Sequence, residues 1–322
     1  MFSNRKSVSL RNTYFYGISA IVGALGGLVT YAINELDYAG GWRGWRWIIA
    51  INGVPIVLTA LVVPFVLPNS PDTASFLTKE DRRNLVLPRE LEIGLTKAAQ
   101  LLHKEDVKAG AKDWKTWEFA IGTFSSLGML YSLSIFFPII IFEIGADWIR
   151  QLVQALVIPI YSLDFLVYVG SAYLSDKIQQ HGIFCIGSFL TCTVGYVFLV
   201  TNQDVGLSFA GCFVIAMRLW TSTGAAMTWL DVNSSRYGKR AFASGMQITI
   251  GNAAAHPTYY PGYGATIGLH ALGVGVHAAL HFWYRNQNKR KLLGREDYRM
   301  EGLSEVEIKE IGEHNPRFIY TI

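Results

Sequence analysis

The residues in this sequence that could do chemistry are few, and they lie in apolar surroundings. Arg218 stands near the middle of an apolar run at residues 205–230. A charge in such a place costs roughly 2.5–3.5 kcal/mol on insertion scales, so it needs a partner or a wet cavity. Helical spacing puts Ser222, Ala225 and Trp229 on its face. A guanidinium there could hold a carboxylate through a bidentate contact. It could equally pair with Asp164, the acid nearest the centre of the run at residues 152–174, or snorkel toward the surface. Asp164 could carry a proton or serve only as that partner. Glu143 and Asp147 end another run and read as solvated. His270, His277 and His281 fall roughly on one helical face; a metal or proton relay is conceivable, and neutral packing positions are the simpler reading.

Other chemistries lack their motifs. The sequence shows no nucleophile elbow, phosphate-cradling glycine loop, zinc spacing or nucleic-acid module. It therefore reads as a non-enzyme with no cofactor, no metal site and no nucleic-acid partner. Cys185, Cys192 and Cys212 all sit inside apolar blocks and read as small packing residues.

The elements that position these residues must live in a bilayer. The chain has 322 residues, 51% hydrophobic and 16% charged, with a mean hydropathy of +0.27. Soluble domains usually carry about 25% charge. Eight apolar runs approach the ~20 residues that cross ~30 Å of hydrocarbon. They are 14–33, 47–67, 117–142, 152–174, 183–201, 205–230, 241–260 and 263–284, the seventh being weak and closing on Pro257 and Pro261. Residues 68–115 are too polar to span and read as a long loop; a polar tail runs to residue 322. Gly17, Gly23 and Gly27, with Ala20 and Ala24, lie on the first run, and the Gly23/Gly27 pair predicts close helix approach.

Loop charge orients the spans. With the N-terminus inside, 24 of the 28 Lys and Arg fall on the cytoplasmic side. Arg43, Arg46 and Arg150 fall outside, and Arg218 falls within a run. Short loops agree: Arg236, Lys239 and Arg240 oppose a loop at 202–204 that has no basic residue. The small net charge of +4 thus reads as helix flanks. Residues 1–11 are polar and basic, and the run after them is too long for a signal peptide.

Specific motifs then emerge in order. Gly41-Trp42-Arg43-Gly44-Trp45-Arg46-Trp47 resembles the GWRW opening of the sixth helix in the fungal allantoate permease family, within the anion:cation symporters of the major facilitator superfamily. Leu67-Pro68-Asn69-Ser70-Pro71-Asp72-Thr73-Ala74-Ser75-Phe76-Leu77-Thr78 is similar to the start of that family's central cytoplasmic loop. Asp113-Trp114-Lys115-Thr116-Trp117 resembles the opening of the seventh helix, which Tyr131 to Phe136 and Pro138 continue. Tyr173-Leu174-Ser175-Asp176-Lys177 resembles the charged turn after the eighth helix. Trp229, Asn233, Lys239-Arg240-Ala241 and Gly251-Asn252 resemble the join of helices ten and eleven. His314-Asn315-Pro316-Arg317-Phe318-Ile319-Tyr320 is similar to the family's tail.

The resemblance implies an all-α, polytopic membrane protein: an N-terminally truncated major facilitator fold with about eight transmembrane helices. Residues 1–67 would be helices five and six of an N-terminal bundle, with helices one to four lacking a counterpart. Residues 68–116 would be the central cytoplasmic loop, 117–285 a six-helix C-terminal bundle, and 286–322 a cytoplasmic tail. The implied activity is secondary transport of small organic anions such as allantoate, nicotinate or pantothenate-like carboxylates, with protons as the coupling ion, in the plasma membrane. Because helices seven and ten line the cavity in such folds, Tyr131 and Ser134 become substrate contacts beside Arg218 and Ser222. Gln247 and Asn252 are placed similarly, with ordinary interhelical hydrogen bonding as the alternative for these groups. Asp176 and Lys177 would form a conformational latch, although the fuller GxxxDRxGRR pattern is degenerate: Gly170 precedes, and the later basic pair is missing. A simple charged loop is the alternative. Partners would be the lipid bilayer, the anion and protons, and a homo-oligomer could supply a second bundle. The competing reading is a non-transporting membrane remnant or interaction protein.

Overall fold

The computed structural model describes residues 8–68, 74, 76–82, 103–145, 148–201, 204–253 and 262–322. Their main elements are helices α1 (Val8–Asn34), α2 (Gly44–Val66), α3 (Lys104–Lys112), α4 (Trp114–Ile144) and α5 (Arg150–Ile178). The series continues with α6 (His181–Thr201), α7 (Val205–Asn233), α8 (Tyr237–Ala253), α9 (Gly262–Leu292) and, in the tail, α10 (Glu305–Glu310). No strand occurs among the described residues. Helices apolar around their circumference suit a bilayer, which cannot hydrogen-bond an exposed backbone.

Each of the eight apolar runs carries a helix, with differences in extent. Five helices are long and apolar enough to cross a membrane, and α4 makes a sixth when its bent halves are taken as one span. At 17 residues, α8 is roughly 26 Å long, short of the hydrocarbon thickness. Its expected end, with Pro257 and Pro261, lies outside the described residues, as does Asp147. The 31-residue α9 is long but polar, and it buries His270 and His277 against its neighbours instead of showing them to lipid. The bend in α4 is 53° and falls between Ser134 and Phe136. Pro138 explains its place, because proline offers no N–H to the carbonyl four residues earlier, that of Ser134.

Small residues set the closest packing. The α6 and α7 backbones meet at Gly195 and Gly211, where a Cβ on either would lie 2.9 Å from the other's carbonyl oxygen. Helix α1 packs on α5 through Gly17 against Phe165 and Gly27 against Gln154, with Ala20 and Ala24 buried between. The expected Gly23/Gly27 pair is therefore corrected to Gly17/Gly27, since a Cβ at Gly23 would meet nothing within 4 Å. At 100° per residue, Gly23 sits roughly 80° off the mean direction of the face formed by Gly17, Ala20, Ala24 and Gly27. Helix α2 buries only Gly44 and leaves Phe65 90% exposed. Between α1 and α2 the chain turns at Gly40 and Gly41, whose φ values of 61° and 76° a glycine adopts without strain.

The tail is built into one end of the bundle. There Lys115, at the start of α4, donates to Glu313 at 3.0 Å and approaches Asp113 at 3.2 Å. Lys239, at the start of α8, bonds the same two carboxylates. Burial alone would raise both carboxyl groups, but the two ammonium groups overcome it and hold Asp113 and Glu313 below the usual range. Further along, Tyr320 exchanges two backbone hydrogen bonds with the Asn288 side chain, at 2.9 and 2.8 Å. The Thr321 carbonyl accepts from Trp229 Nε1 and Asn233 Nδ2, both at 2.8 Å. Lys291 Nζ donates to the carbonyls of Glu313, Asn315 and Phe318. Residues 313–321 thus brace α4, α7, α8 and α9 together.

Glu313→Gln leaves two buried lysines sharing one carboxylate and should cost about 3–5 kcal/mol, read as a lower melting temperature in detergent. Asp113 and Glu313 have lowered folded values, so their stabilisation is complete above the unfolded values near ~4 and is lost as pH falls through the folded ones. The melting temperature of the natural chain should therefore drop below about pH 4. In the double variant Asp113→Asn/Glu313→Gln that drop should be flatter.

Candidate binding and coupling site

Helices α5 and α7 lie side by side and carry several of the buried polar groups of the bundle, Asp164 and Ser171 on α5 and Thr221, Ser222, Thr223 and Thr228 on α7. The Arg218 guanidinium of α7 donates from Nη1 to Ser171 Oγ of α5 at 2.6 Å. Among the described residues it forms no ion pair. The pairing of Arg218 with Asp164, open from the sequence, is not formed. Ser171 is two helical turns beyond Asp164, about 10 Å along α5, and the guanidinium is spent at the Ser171 level. Cys192 of α6 nevertheless lies within electrostatic reach of both charges.

Asp164 is fully buried. Neither carboxyl oxygen has a well-formed hydrogen bond among the described residues; the backbone N–H of Trp220 is the donor within reach. Tyr168 Oη, one turn further along α5, is buried with the Thr13 hydroxyl of α1 within reach. Tyr168 Oη rests against Gly224, where any Cβ would displace it. An acid placed inside a span as Asp164 is proves expensive and calls for a polar companion.

The other expected contacts are differently occupied. Ser222 is fully buried and donates to the Leu219 carbonyl of its own helix at 2.8 Å, so its hydrogen is spent locally. Gln247 of α8 donates to Thr123 Oγ1 of α4 at 2.8 Å. Tyr131 of α4 donates to Asn252 Oδ1 of α8 at 2.7 Å, and Asn252 Nδ2 donates to Ile248 O. These pairs fasten α4 to α8. Ser134 is exposed at the α4 bend, beside Tyr161 of α5. The structure thus brings Arg218 and Asp164 into one α5/α7 region and assigns Gln247 and the Tyr131–Asn252 pair to an α4/α8 joint.

Asp176, at the end of α5, accepts from the backbone N–H groups of Ser9 and Leu10 at 3.2 and 2.8 Å. Both amides belong to the first turn of α1, so a carboxylate caps that helix from a distant part of the chain and complements its dipole. Lys177 is exposed beside it. Asn12 Nδ2 adds a bond to Thr228 Oγ1 of α7 at 3.1 Å.

His270 and His277 each direct Nδ1 to a carbonyl of their own helix, Thr266 at 2.6 Å and Gly273 at 2.8 Å. Among the described residues no group of His, Cys, Asp and Glu is arranged to hold a metal ion. The three cysteines are buried and unbridged. Sequence reasoning passed over Ser171, Asn12 and Asp231, which accepts from Ser244 of α8 at 2.7 Å. Only Asp231 carried a sign in the sequence, an acid at the end of an apolar run.

Removing the α1 cap is testable. Asp176→Ala should cost about 1 kcal/mol and speed hydrogen exchange of the Ser9 and Leu10 amides several-fold in mass-resolved exchange. Asp176→Asn, which retains an acceptor oxygen, should fall between.

Comparison with known proteins places this geometry in context. The profile described as Major Facilitator Superfamily matches residues 2–255. An uncharacterised transporter of Schizosaccharomyces pombe is 29% identical over 301 residues, covering 90% of this chain and 60% of the relative. An MFS-type transporter of Penicillium expansum is 28% identical over 353 residues, covering 100% and 66%. The high-affinity nicotinic acid transporter of Saccharomyces cerevisiae is 23% identical over 298 residues, covering 89% and 55%. The chain thus spans about six tenths of the length of the curated relatives it matches. No solved structure matches it.

Proposed function

The chain belongs to the Major Facilitator Superfamily, and we propose that it serves the transport of small organic anions coupled to protons, in the manner of the allantoate permease branch. One observation carries this reading. Arg218 is a cation inside an apolar helix whose hydrogen bond goes to a neutral hydroxyl. Arg218 is half-buried; a charge held within an apolar span without a counter-charge is costly, and a carboxylate substrate supplies the missing one. The guanidinium fork suits a carboxylate, and Ser171 holds it in place when the substrate is away.

Asp164 is the proton carrier in this scheme. Asp164 is fully buried in α5, where an acid inside a span is costly and suits a group that exchanges a proton during transport. The Asp176 cap on α1 acts as the latch, since α1 and α5 can part at that end only by exposing two amides and a carboxylate. The end with the tail and most Lys and Arg faces the cytoplasm by the positive-inside rule, in the plasma membrane. Nicotinate is a fitting first substrate because the yeast relative is named for it.

Uptake of labelled nicotinate and allantoate into cells expressing the chain tests the proposal. Saturable uptake that is driven by an inward proton gradient is expected. Arg218→Gln should abolish it, a loss of at least about a hundredfold from a charge-assisted pair worth ~3 kcal/mol. Asp164→Asn should remove the response to the gradient while leaving anion exchange. The second reading, a non-transporting membrane partner, draws on α2, which buries only Gly44. A folded, membrane-inserted chain with no uptake of any carboxylate, co-purifying with another membrane protein, would favour it.

A further inference from the structure

At the end braced by the tail, α3, α4, α8 and α9 line a half-open cavity of about 380 Å³ with residues of the tail. That volume is within the range of small-molecule sites. Lys115 and Lys239 line it, but their charges are matched by Asp113 and Glu313. The remaining cations on its wall are Lys112, Arg290 and Arg299, and they face a single carboxylate, Glu296. Glu296 is buried and stands 3.8 Å from both Arg290 and Arg299. This exceeds a hydrogen-bond length, so the acid holds two guanidinium groups by charge. Arg299 spends Nε on Tyr298 Oη at 3.3 Å and Nη1 on His314 Nδ1 at 3.1 Å, which leaves its Nη2 and the Arg290 guanidinium to face a ligand. Trp283 and Tyr320 form the apolar part of the wall.

We propose that this cavity binds a phosphomonoester group. The wall carries about two positive charges in excess, and a phosphomonoester brings close to two negative ones at neutral pH with three acceptor oxygens. A carboxylate would leave one cation unmatched. Paired guanidinium forks fit phosphate oxygens bidentately, with Lys112 as a third point of charge. The group can arrive on a membrane lipid or on a soluble metabolite. Trp114, which also lines the cavity, and Trp117 are part-exposed at this end, as indoles at the headgroup level are. The cavity is distinct from the α5/α7 region, and its occupancy does not depend on transport.

The test uses the full chain in phosphatidylcholine nanodiscs. Binding of phosphatidic acid is counted by native mass spectrometry against phosphatidylglycerol, and glycerol phosphate is titrated calorimetrically. Selective binding of phosphatidic acid alone assigns the group to a lipid, and binding of glycerol phosphate as well admits a soluble source. Arg290→Gln/Arg299→Gln should weaken either by at least about tenfold. Lys112→Ala, exposed and clear of the brace, should weaken it about threefold, and Arg285→Gln, outside the cavity, should not change it. The Lys112 variant keeps the test decisive should the double variant fail to fold. The proposal is overturned if neither phosphomonoester binds better than phosphatidylglycerol, or if the Lys112 variant and the Arg290/Arg299 double variant bind as tightly as the natural chain.

Discussion

A bilayer supplies no water to complete a hydrogen bond, and the rest of this structure depends on that constraint. It forces the described spans to be helical. It also decides how each polar side chain inside them behaves. Thr13, Ser188, Thr191, Thr193 and Ser222 return their hydroxyl hydrogens to carbonyls of their own helix. His270 and His277 do the same through Nδ1. Against that background of local satisfaction, Arg218 on a neutral serine and Asp164 without a well-formed partner are two charged groups of the α5/α7 region that are not matched by an opposite charge. In a low-dielectric interior such groups are expensive, and that is why they are read as function.

Outside the apolar region the same rule operates with charge. The braced end contains two lysines and two carboxylates in mutual contact, and the tail supplies one of the four groups. Glu313 is only 4% exposed, so the tail is part of the packed structure there. The consequence reaches beyond stability. By filling the space between the starts of α4 and α8 and the end of α9, the tail also builds the wall of the basic cavity. Stability and the proposed phosphate site therefore share Tyr320 and the lysine pair, while the unmatched cations stand at the edge.

Much of the fold was legible in the sequence, because block length and loop charge are one-dimensional properties. The eight apolar runs each carry a helix, and the bend of α4 follows from Pro138. Legibility failed where helix rotation or axial height mattered. Gly23 looked like a packing glycine beside Gly27, but Gly17 is the one that lies on the contact face. A pairing of Arg218 with Asp164 was open, but the guanidinium of α7 bonds Ser171, two turns beyond Asp164 on α5. Ser171 gave no sign, since a serine in an apolar run is ordinary until something across from it needs an acceptor. His270 and His277, which lower the apolar character of α9, proved to be buried while His281 is half-exposed, a distinction that a linear hydropathy reading cannot make.

The sequence by itself therefore determined that the chain is a multi-pass helical membrane protein, which end of the bundle is basic, and which superfamily its motifs belong to. These follow from composition along the chain, where each residue counts independently of its neighbours in space. The tertiary structure alone decided which polar groups spend their hydrogen bonds on one another and which remain available. It joined Tyr131 to Asn252 and Gln247 to Thr123, removed Ser222 from use, capped α1 with Asp176, and left Arg218 and Asp164 unmatched. Those outcomes depend on distances of a few ångströms between helices far apart in sequence, and satisfaction of a buried polar group is a property of such distances.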